Sequence, residues 1–276
     1  MAVPVPLLPQ VKAFFDSLSF GPITYTEGLH DSTLPIFNKL RVLVKKNLVA
    51  TYEQINAHEI RSAPNDVHLP PETWHRELNE KGSKALVVDM RNHYEYNVGR
   101  FENAVKMDVE TFREGLPELE RLVEEMGADK DIYMYCTGGI RCDVASSVLQ
   151  KKGHTKVKLL RGGITAYGQY IRESKQTSLF KGKNFTFDNR RGERMTDDVL
   201  SRCLHCGTTF DTIVNCVNRL CNMMMVQCPA CRVRMKQTCS DLCRDHIEGK
   251  REYNLEYNYS RQIRPPSAPC TSSTDP

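Results

Sequence analysis

A short apolar segment that runs directly into a cysteine and two glycines constrains the fold of this chain most strongly. Residues 131–135 predict a buried strand, residues 136–141 read Cys-Thr-Gly-Gly-Ile-Arg, and residues 143–151 have helical periodicity. Further strands are predicted over 85–88 and 157–160, with a helix over 116–126. Strands that alternate with helices indicate a parallel α/β sheet, and the loop then lies at its carboxyl edge, where ligands bind.

The loop after the strand has the composition of a site that activates a cysteine. Backbone N–H groups of such a turn and the following helix N-terminus favour an anion, and Arg141 adds a positive charge. We therefore expect Cys136 to be a catalytic thiolate, with Arg141 as its partner and a pKa below the usual value of about 8.5. The alternative is a buried structural cysteine. The active-site loop between the two residues comprises Thr137, Gly138, Gly139 and Ile140.

The spacing of this loop favours sulfur chemistry over phosphate chemistry. The interval between Cys136 and Arg141 is one residue tighter than that of a phosphatase loop built for a tetrahedral phosphate, which suits a single terminal sulfur or a similarly small group. We therefore expect persulfide chemistry rather than phosphate ester hydrolysis. Cys142 follows Arg141 directly, and it either resolves a persulfide or sulfenate on Cys136 or packs in the first helical turn.

Cysteine is concentrated in the last third of the chain, where eight of the 11 cysteines form four short-spaced pairs. The short spacing lets the two thiolates of a pair bind the same metal ion from a single turn. Tetrahedral Zn²⁺ takes four thiolates, so two pairs bind one ion. The sequence therefore predicts two structural zinc sites, with an iron–sulfur cluster and disulfides as alternatives. Sequential, interleaved and nested pairings all remain open, and His205 or His246 could replace a cysteine, although surface positions suit both. The predicted ligands are Cys203, Cys206, Cys216, Cys221, Cys228, Cys231, Cys239 and Cys243.

Positive charge and aromatic rings alternate between residues 181 and 194. This segment carries five positive and two negative side chains around two phenylalanines, which suits phosphate contacts and base stacking in a nucleic acid. The alternative, which composition alone favours, is a solvated loop with buried Phe185 and Phe187. The predicted nucleic-acid contacts are Lys181, Lys183, Phe185, Arg190, Arg191 and Arg194.

The bulk composition is that of a globular protein with several small domains. No stretch reaches the ~20 apolar residues of a membrane span, and Met1–Gln10 lacks the basic lead-in of an export signal. We therefore expect a cytoplasmic protein without membrane contact, and the net charge of +4 is too small to identify a partner. Composition divides the chain into residues 1–70, 71–178, 179–255 and a disordered tail over 256–276, and nothing in it indicates an oligomeric state.

Three segments resemble successive motifs of the rhodanese domain, which implies a rhodanese-like parallel sheet flanked by helices. They are Asp89–Tyr96, Gly99–Ala104 and Leu160–Tyr167. The first has Asp, Arg and Glu-aromatic at the family's spacing, and in the family its Asp89 and Arg91 mainly brace the structure. The third ends in a tyrosine where tryptophan is common.

The order of segments resembles a more specific family. A rhodanese domain with the loop CTGGIRC, then GKNFTFDNRRGER, then paired cysteines is similar to the rhodanese-like tRNA uridine(34) hydroxylases over roughly residues 74–245. Residues 15–20 and 37–42 also resemble the second half of that family's acylphosphatase-like α+β domain. We therefore expect residues 1–70 to form a partial domain whose first half is absent, followed by a linker.

This second resemblance implies a function. Members of the family install an oxygen-derived 5-hydroxyl group on the wobble uridine of tRNA, and their essential rhodanese cysteine corresponds to Cys136. Molecular oxygen would then be the co-substrate and tRNA the partner. One alternative is a sulfurtransferase that carries a Cys136 persulfide from a sulfur donor to a protein, tRNA or small-molecule acceptor. The other is a non-catalytic zinc-bearing scaffold, against which the intact loop argues.

Overall fold

The computed structural model describes most of residues 67–252 and part of the chain before them. The described residues are 3–19, 21–23, 25, 36, 37, 39, 40, 42–44, 47, 49–51, 67–107, 109, 111–126 and 131–252. Most of the predicted linker, over 52–66, and the predicted disordered tail lie outside these residues. The chain divides into two compact units, Met1–Asp198 and Val199–Pro276.

Helices and strands alternate in the first unit, as the sequence predicts. In chain order they are α1 (Leu8–Asp16), β1 (His68–Leu69), α2 (Pro71–Lys81), β2 (Leu86–Asp89), α3 (His93–Val98), β3 (Gly99–Phe101), β4 (Val105–Lys106), α4 (Phe112–Met126), β5 (Ile132–Tyr135), α5 (Ile140–Lys151), β6 (Val157–Leu160), α6 (Gly163–Ser174), β7 (Phe180–Asn184) and β8 (Glu193–Arg194). Short 3-10 turns cover Val5–Leu7 and Gly82–Lys84. Within the described part of residues 1–51, α1 is joined by no strand, so the acylphosphatase-like resemblance stays a prediction.

Among the described residues, five strands form a parallel sheet in the order β1-β6-β5-β2-β4. β5 lies in the centre, and Tyr135 at its end is opposite Asp89 at the end of β2. Because the strands are parallel, their carboxyl ends meet at one edge, and Cys136 follows the central strand there. This sheet confirms the predicted rhodanese-like α/β fold.

Both faces of the sheet are covered by helices. On one face, Met134 packs with side chains of α4 and α5, including Leu149, and on the other face Tyr135 packs with Trp74 of α2 and Tyr167 of α6. All five side chains are fully buried. Burial of each large side chain stabilises the fold by roughly 1.5–3 kcal/mol, so the two cores hold β5, and therefore the cysteine after it, in a fixed position.

A second, antiparallel sheet joins the basic segment, residues 181–194, to the rest of the first unit. Its order is β3-β7-β8, and Gly99 of β3 lies opposite Gly182 of β7. A Cβ atom on Gly99 would lie 2.1 Å from the carbonyl oxygen of Lys183, so this close pairing requires glycine. Residues 181–194 therefore pack with the rhodanese-like unit rather than forming a free loop, while the domain limits given above stay a prediction.

The described part of the second unit, residues 199–252, contains little regular structure. Its elements are β9 (Ile213–Asn215), β10 (Met224–Val226), α7 (Pro229–Arg234) and α8 (Asp241–Ile247). β9 and β10 pair in antiparallel fashion, and the buried side chains around them are mainly cysteine and methionine. A core this small is typical of units that metal ions stabilise. In the part of the chain that the structure describes, no helix is long and apolar enough to cross a membrane.

Candidate active site and metal-binding clusters

Cys136 lies directly after β5, and only 2% of its surface is exposed. The chain turns at once, and the N–H of Gly139 donates a hydrogen bond to Sγ at 3.1 Å. Gly139 has a φ of +99° and caps α5, which begins at Ile140. Since that φ favours glycine, this residue type permits the turn that brings a backbone donor and a helix N-terminus to the sulfur.

The surroundings of Cys136 favour its thiolate. A hydrogen bond from the Cys142 side chain, the positive charge of Arg141 and backbone N–H groups of the loop together lower the pKa of Cys136 to about 6, although burial opposes this shift. Burial and the neighbouring Cys136 sulfur raise the pKa of Cys142 well above its usual value. Cys142 therefore stays protonated at neutral pH and acts as a donor to the thiolate.

Arg141 is held by the buried carboxylate of Glu95, a residue to which the sequence alone assigned no role at the site. Its two terminal nitrogens donate to the two carboxylate oxygens of Glu95 at 2.7 and 2.9 Å, and the Thr137 hydroxyl donates to the same carboxylate at 3.2 Å. Burial would raise the pKa of Glu95, but the charge and hydrogen bonds of Arg141 outweigh it and lower that pKa. Arg141 therefore acts on Cys136 through its charge, from a position that Glu95 fixes.

The position of Glu95 has a local sequence signal. The N–H of Asn92 donates to Glu95 Oε2 at 3.1 Å in the first turn of α3. Asn followed three residues later by Glu is the spacing of a capping box at a helix N-terminus, so the sequence does contain the sign that this glutamate is oriented. Its partner Arg141 lies 46 residues away, and that contact has no local signal.

The start of α6 supports the Cys136 loop from the other side. The N–H of Ile164 donates to the Cys136 carbonyl at 3.0 Å, and the N–H of Thr165 donates to the Thr137 carbonyl at 3.2 Å. Gly163 has a φ of +63°, and a Cβ atom there would lie 2.5 Å from the Cys136 carbonyl oxygen. Glycine is therefore required for α6 to approach the loop this closely.

Asp89 and Arg91 form a buried brace beside the loop. Arg91 Nε and Nη2 donate to the two oxygens of Asp89 at 2.9 and 2.7 Å, and Arg91 Nη2 also donates to the Gly99 carbonyl at 2.6 Å. The Tyr135 hydroxyl donates to Asp89 at 2.6 Å. These contacts join β2, β3 and β5 immediately before Cys136, as expected of bracing residues.

The six predicted nucleic-acid contacts have different surroundings. Phe185 is fully buried, so its ring offers no face to a base. Arg190 forms ion pairs with Asp188 and Glu193. Arg194 is exposed, and the partly exposed side chains are Lys181, Lys183 and Arg191. A nucleic-acid role for the segment stays a prediction, and Phe185 fits the alternative of a buried aromatic residue.

The eight clustered cysteines form two groups of four. These are Cys203, Cys206, Cys228 and Cys231, and Cys216, Cys221, Cys239 and Cys243. All sulfur atoms within a group lie within 4.8 Å of one another. Tetrahedral zinc with Zn–S bonds of about 2.3 Å would place its sulfurs about 3.8 Å apart. The Sγ–Sγ distance is 3.6 Å in three pairs, one of the first group and two of the second, and this distance fits such an ion. The pairs are Cys206–Cys228, Cys221–Cys239 and Cys239–Cys243.

The pairing of the cysteines, which the sequence left open, is interleaved. Cys216 follows β9 and Cys228 follows β10, and because these strands are antiparallel the two residues lie at opposite ends of the hairpin. His205 Nε2 contacts the Thr238 carbonyl at 3.1 Å, and His246 Nδ1 contacts the Arg251 carbonyl at 3.2 Å. Neither histidine belongs to a four-ligand group among the described residues.

The similarity of this chain to known proteins is consistent with a rhodanese-like site around Cys136. Residues 71–170 match the rhodanese-like domain model, and residues 181–244 match a model described as rhodanase C-terminal. A protein of Enterobacter sp. (strain 638), named tRNA uridine(34) hydroxylase, is 40% identical over 238 residues, which cover 85% of this chain and 67% of that protein. The chain belongs to the tRNA uridine(34) hydroxylase family. The family resemblance drawn from the sequence is thereby confirmed.

Other members of the family are more similar over a shorter span. The protein of the same name from Erwinia tasmaniensis is 47% identical over 164 residues, which cover 59% of this chain and 47% of that protein. The Citrobacter koseri protein is 48% identical over 159 residues, which cover 58% and 45%. The chain thus matches about half the length of most of these relatives.

Proposed function

We propose that this chain hydroxylates C5 of the wobble uridine in tRNA, with Cys136 as the essential group and molecular oxygen as co-substrate. The observation that carries the proposal is a buried cysteine whose pKa is lowered to about 6, in a family whose members bear the name tRNA uridine(34) hydroxylase. A thiolate at neutral pH is a ready nucleophile.

A thiolate in this position suggests one route to C5. Addition of Cys136 Sγ to C6 of the uracil would raise the electron density at C5, which would then bind O2 as a C5 hydroperoxide. Two electrons from an external thiol reductant would reduce the hydroperoxide to the 5-hydroxyl group and water. Loss of the C5 proton and departure of the Cys136 thiolate from C6 would then restore the ring. An adduct between Cys136 and the base should then be detectable by mass spectrometry of trapped protein–RNA complexes. If the wild-type protein modifies tRNA and yet no such adduct can be trapped, oxygen transfer through an oxidised cysteine becomes the better account.

The decisive experiment is mass spectrometry of nucleosides from bulk tRNA, in cells with and without this gene. We expect 5-hydroxyuridine derivatives to be lost in the deletion and restored by the wild-type gene but not by Cys136→Ser. Loss of a thiolated nucleoside instead would show that the chain transfers sulfur to tRNA and would contradict hydroxylation. Full restoration by Cys136→Ser would contradict the role of the cysteine.

The two cysteine clusters are inferred to hold zinc. Four thiolates close the coordination shell, so each ion would stabilise the second unit rather than take part in the reaction. An iron–sulfur cluster would give a coloured protein with visible charge-transfer absorption, whereas zinc is colourless. Metal analysis of the purified protein together with its visible spectrum therefore distinguishes zinc from an iron–sulfur cluster.

A further inference from the structure

The basic segment presents one phenylalanine to solvent. Phe187 is 59% exposed, whereas Phe185 two residues before it is fully buried. The Phe187 ring lies edge-to-face on Phe185, with centroids 5.0 Å apart, and Phe185 lies edge-to-face on Tyr94 at 5.4 Å. The exposed ring thus packs on Phe185, which in turn packs on Tyr94, while more than half of the Phe187 surface stays open.

A rigid turn holds this ring in place. The Asp188 carboxylate accepts hydrogen bonds from the Thr186 hydroxyl at 3.1 Å and from the backbone N–H of Arg190 at 2.9 Å. The Arg190 side chain closes the same turn with two further bonds to Asp188, at 3.0 and 2.6 Å. These bonds order the turn that carries Phe187, and an ordered turn loses less conformational entropy when a ligand binds, which favours affinity.

Two sets of contacts connect the turn to the Cys136 loop. Asn184 Nδ2 donates to Thr165 Oγ1 at 3.4 Å, and Thr165 Oγ1 donates to the Thr137 carbonyl at 3.1 Å. Phe187 is three residues beyond Asn184, a reach of at most about 10 Å. On the other side, Tyr94 beneath Phe185 precedes Glu95, which binds Arg141. The segment that carries the open ring is therefore connected to the Cys136 loop through Asn184 and Thr165.

We propose that Phe187 is a stacking platform for a nucleobase of a single-stranded RNA loop that binds beside the Cys136 loop. Unpaired bases of RNA stack on exposed aromatic rings, and the five positive against two negative side chains of residues 181–194 suit the adjoining phosphates. The inference rests on the proposed function for its choice of RNA, and it assigns a base-binding residue that the sequence analysis sought at Phe185.

Binding of a synthetic RNA hairpin with a uridine in its single-stranded loop tests the platform. Stacking on one aromatic ring changes affinity by about 5- to 100-fold, so Phe187→Ala should raise the Kd by that factor, while Phe187→Trp should preserve it. Phe14→Ala is the matched control, because Phe14 is also 59% exposed and also lies edge-to-face on a neighbouring ring, that of Phe15. Its Kd should equal that of the wild type.

Hairpins that lack one loop base at a time identify the partner. At one position, removal of the base should abolish the difference in Kd between wild type and Phe187→Ala. As a control for the Cys136 loop, the rate of Cys136 alkylation should be the same in both proteins. Equal hairpin affinity of Phe187→Ala and wild type would overturn the platform even if tRNA is hydroxylated. A Phe187-dependent affinity without any change in cellular tRNA nucleosides would support the platform and overturn hydroxylation.

Discussion

At the scale of single residues, two neighbouring cysteines share one proton in a defined order. Cys142 keeps its proton because burial and the Cys136 sulfur raise its pKa, and its side chain in turn stabilises the Cys136 thiolate. Of the two roles predicted for Cys142, packing in the first helical turn is consistent with its 1% exposure. A resolving role stays a prediction, and the hydrogen bond gives Cys142 a third role that sequence spacing alone did not suggest.

Replacing Cys142 should therefore change the pH at which Cys136 reacts. In the wild type we expect the rate of Cys136 alkylation, followed on the Cys136 peptide by mass spectrometry, to rise with a midpoint near pH 6. Cys142→Ala removes the donor, so the midpoint should move up toward the usual pKa of about 8.5. Cys142→Ser retains a donor and should keep the midpoint at or below that of the wild type. Equal midpoints in the alanine and wild-type proteins would exclude this role for Cys142.

The ion pair between Glu95 and Arg141 should contribute to stability as well as to geometry. The Glu95 side chain is fully buried and that of Arg141 is 13% exposed. Glu95→Gln leaves the arginine charge without its partner, so we expect a loss of about 3–5 kcal/mol in the free energy of unfolding. Glu118→Gln, which breaks a surface ion pair with Arg121, should cost less than about 1 kcal/mol. Denaturant unfolding of both variants measures the difference.

The pH dependence of this effect has a definite sign. Because the pKa of Glu95 is lowered in the folded protein, its ionised form contributes stability above the unfolded pKa of about 4.3, and the contribution is lost as the pH falls through the folded pKa. The difference between wild type and Glu95→Gln should thus be largest near neutral pH and shrink in acid. A difference that stays constant from pH 7 to pH 3 would show that the carboxylate charge is not its cause.

At the scale of elements, the contact between α6 and the Cys136 loop depends on one glycine. Gly163→Ala combines an unfavourable positive φ with a Cβ atom 2.5 Å from the Cys136 carbonyl, so the loop or the helix must move. Gly82→Ala is the matched control, because Gly82 has a φ of +54° and no atom within 4 Å of the added Cβ. Gly82→Ala should cost only the backbone strain of about 1–3 kcal/mol, since the φ of +54° and ψ of −130° at Gly82 are unfavourable for a residue with a side chain.

Both variants are compared by thermal unfolding and by the alkylation rate of Cys136. We expect Gly163→Ala to lose more stability than Gly82→Ala and to slow alkylation, since displacement of the loop moves the Gly139 donor from the sulfur. If the two variants unfold at the same temperature and react at the same rate, the close approach of α6 has no influence on the site.

Local sequence patterns predicted most helices and strands around the site. They did not predict contacts between residues that are distant in the sequence. The strand predicted over 157–160 is β6 as observed, because three of its four residues are apolar and buried, as in a strand covered on both faces of a parallel sheet. α5 begins at Ile140, earlier than predicted, since its first turn consists of active-site loop residues without apolar periodicity. In β7, buried residues alternate with Lys181 and Lys183. The strand was not predicted, because glycine and lysine are uncommon in strands. The pairing of cysteines needed the β9–β10 hairpin, which is too short to recognise from sequence.

At the scale of the whole molecule, the chain combines a unit built on two apolar cores with a unit whose described residues bury mainly cysteine and methionine side chains. The first unit contains Trp74, the single tryptophan of the chain, fully buried among Phe101, Tyr133 and Tyr135. The second unit contains both cysteine clusters. Tryptophan fluorescence therefore reports on one unit, and metal content and cysteine reactivity report on the other.

Metal removal should separate the two units. If each cluster holds one ion, the intact chain binds two zinc ions, Cys203→Ser and Cys216→Ser each reduce the content by about one, and Cys142→Ser retains both. Since metal binding supplies much of the folding free energy of such small units, a strong chelator should unfold the second unit and expose its thiols to alkylation. The emission of Trp74 should stay that of a buried ring, because the apolar cores around it need no metal. A red-shifted emission at the same chelator concentration would contradict this division, and a chain without bound metal whose clustered thiols stay unreactive would contradict the zinc assignment.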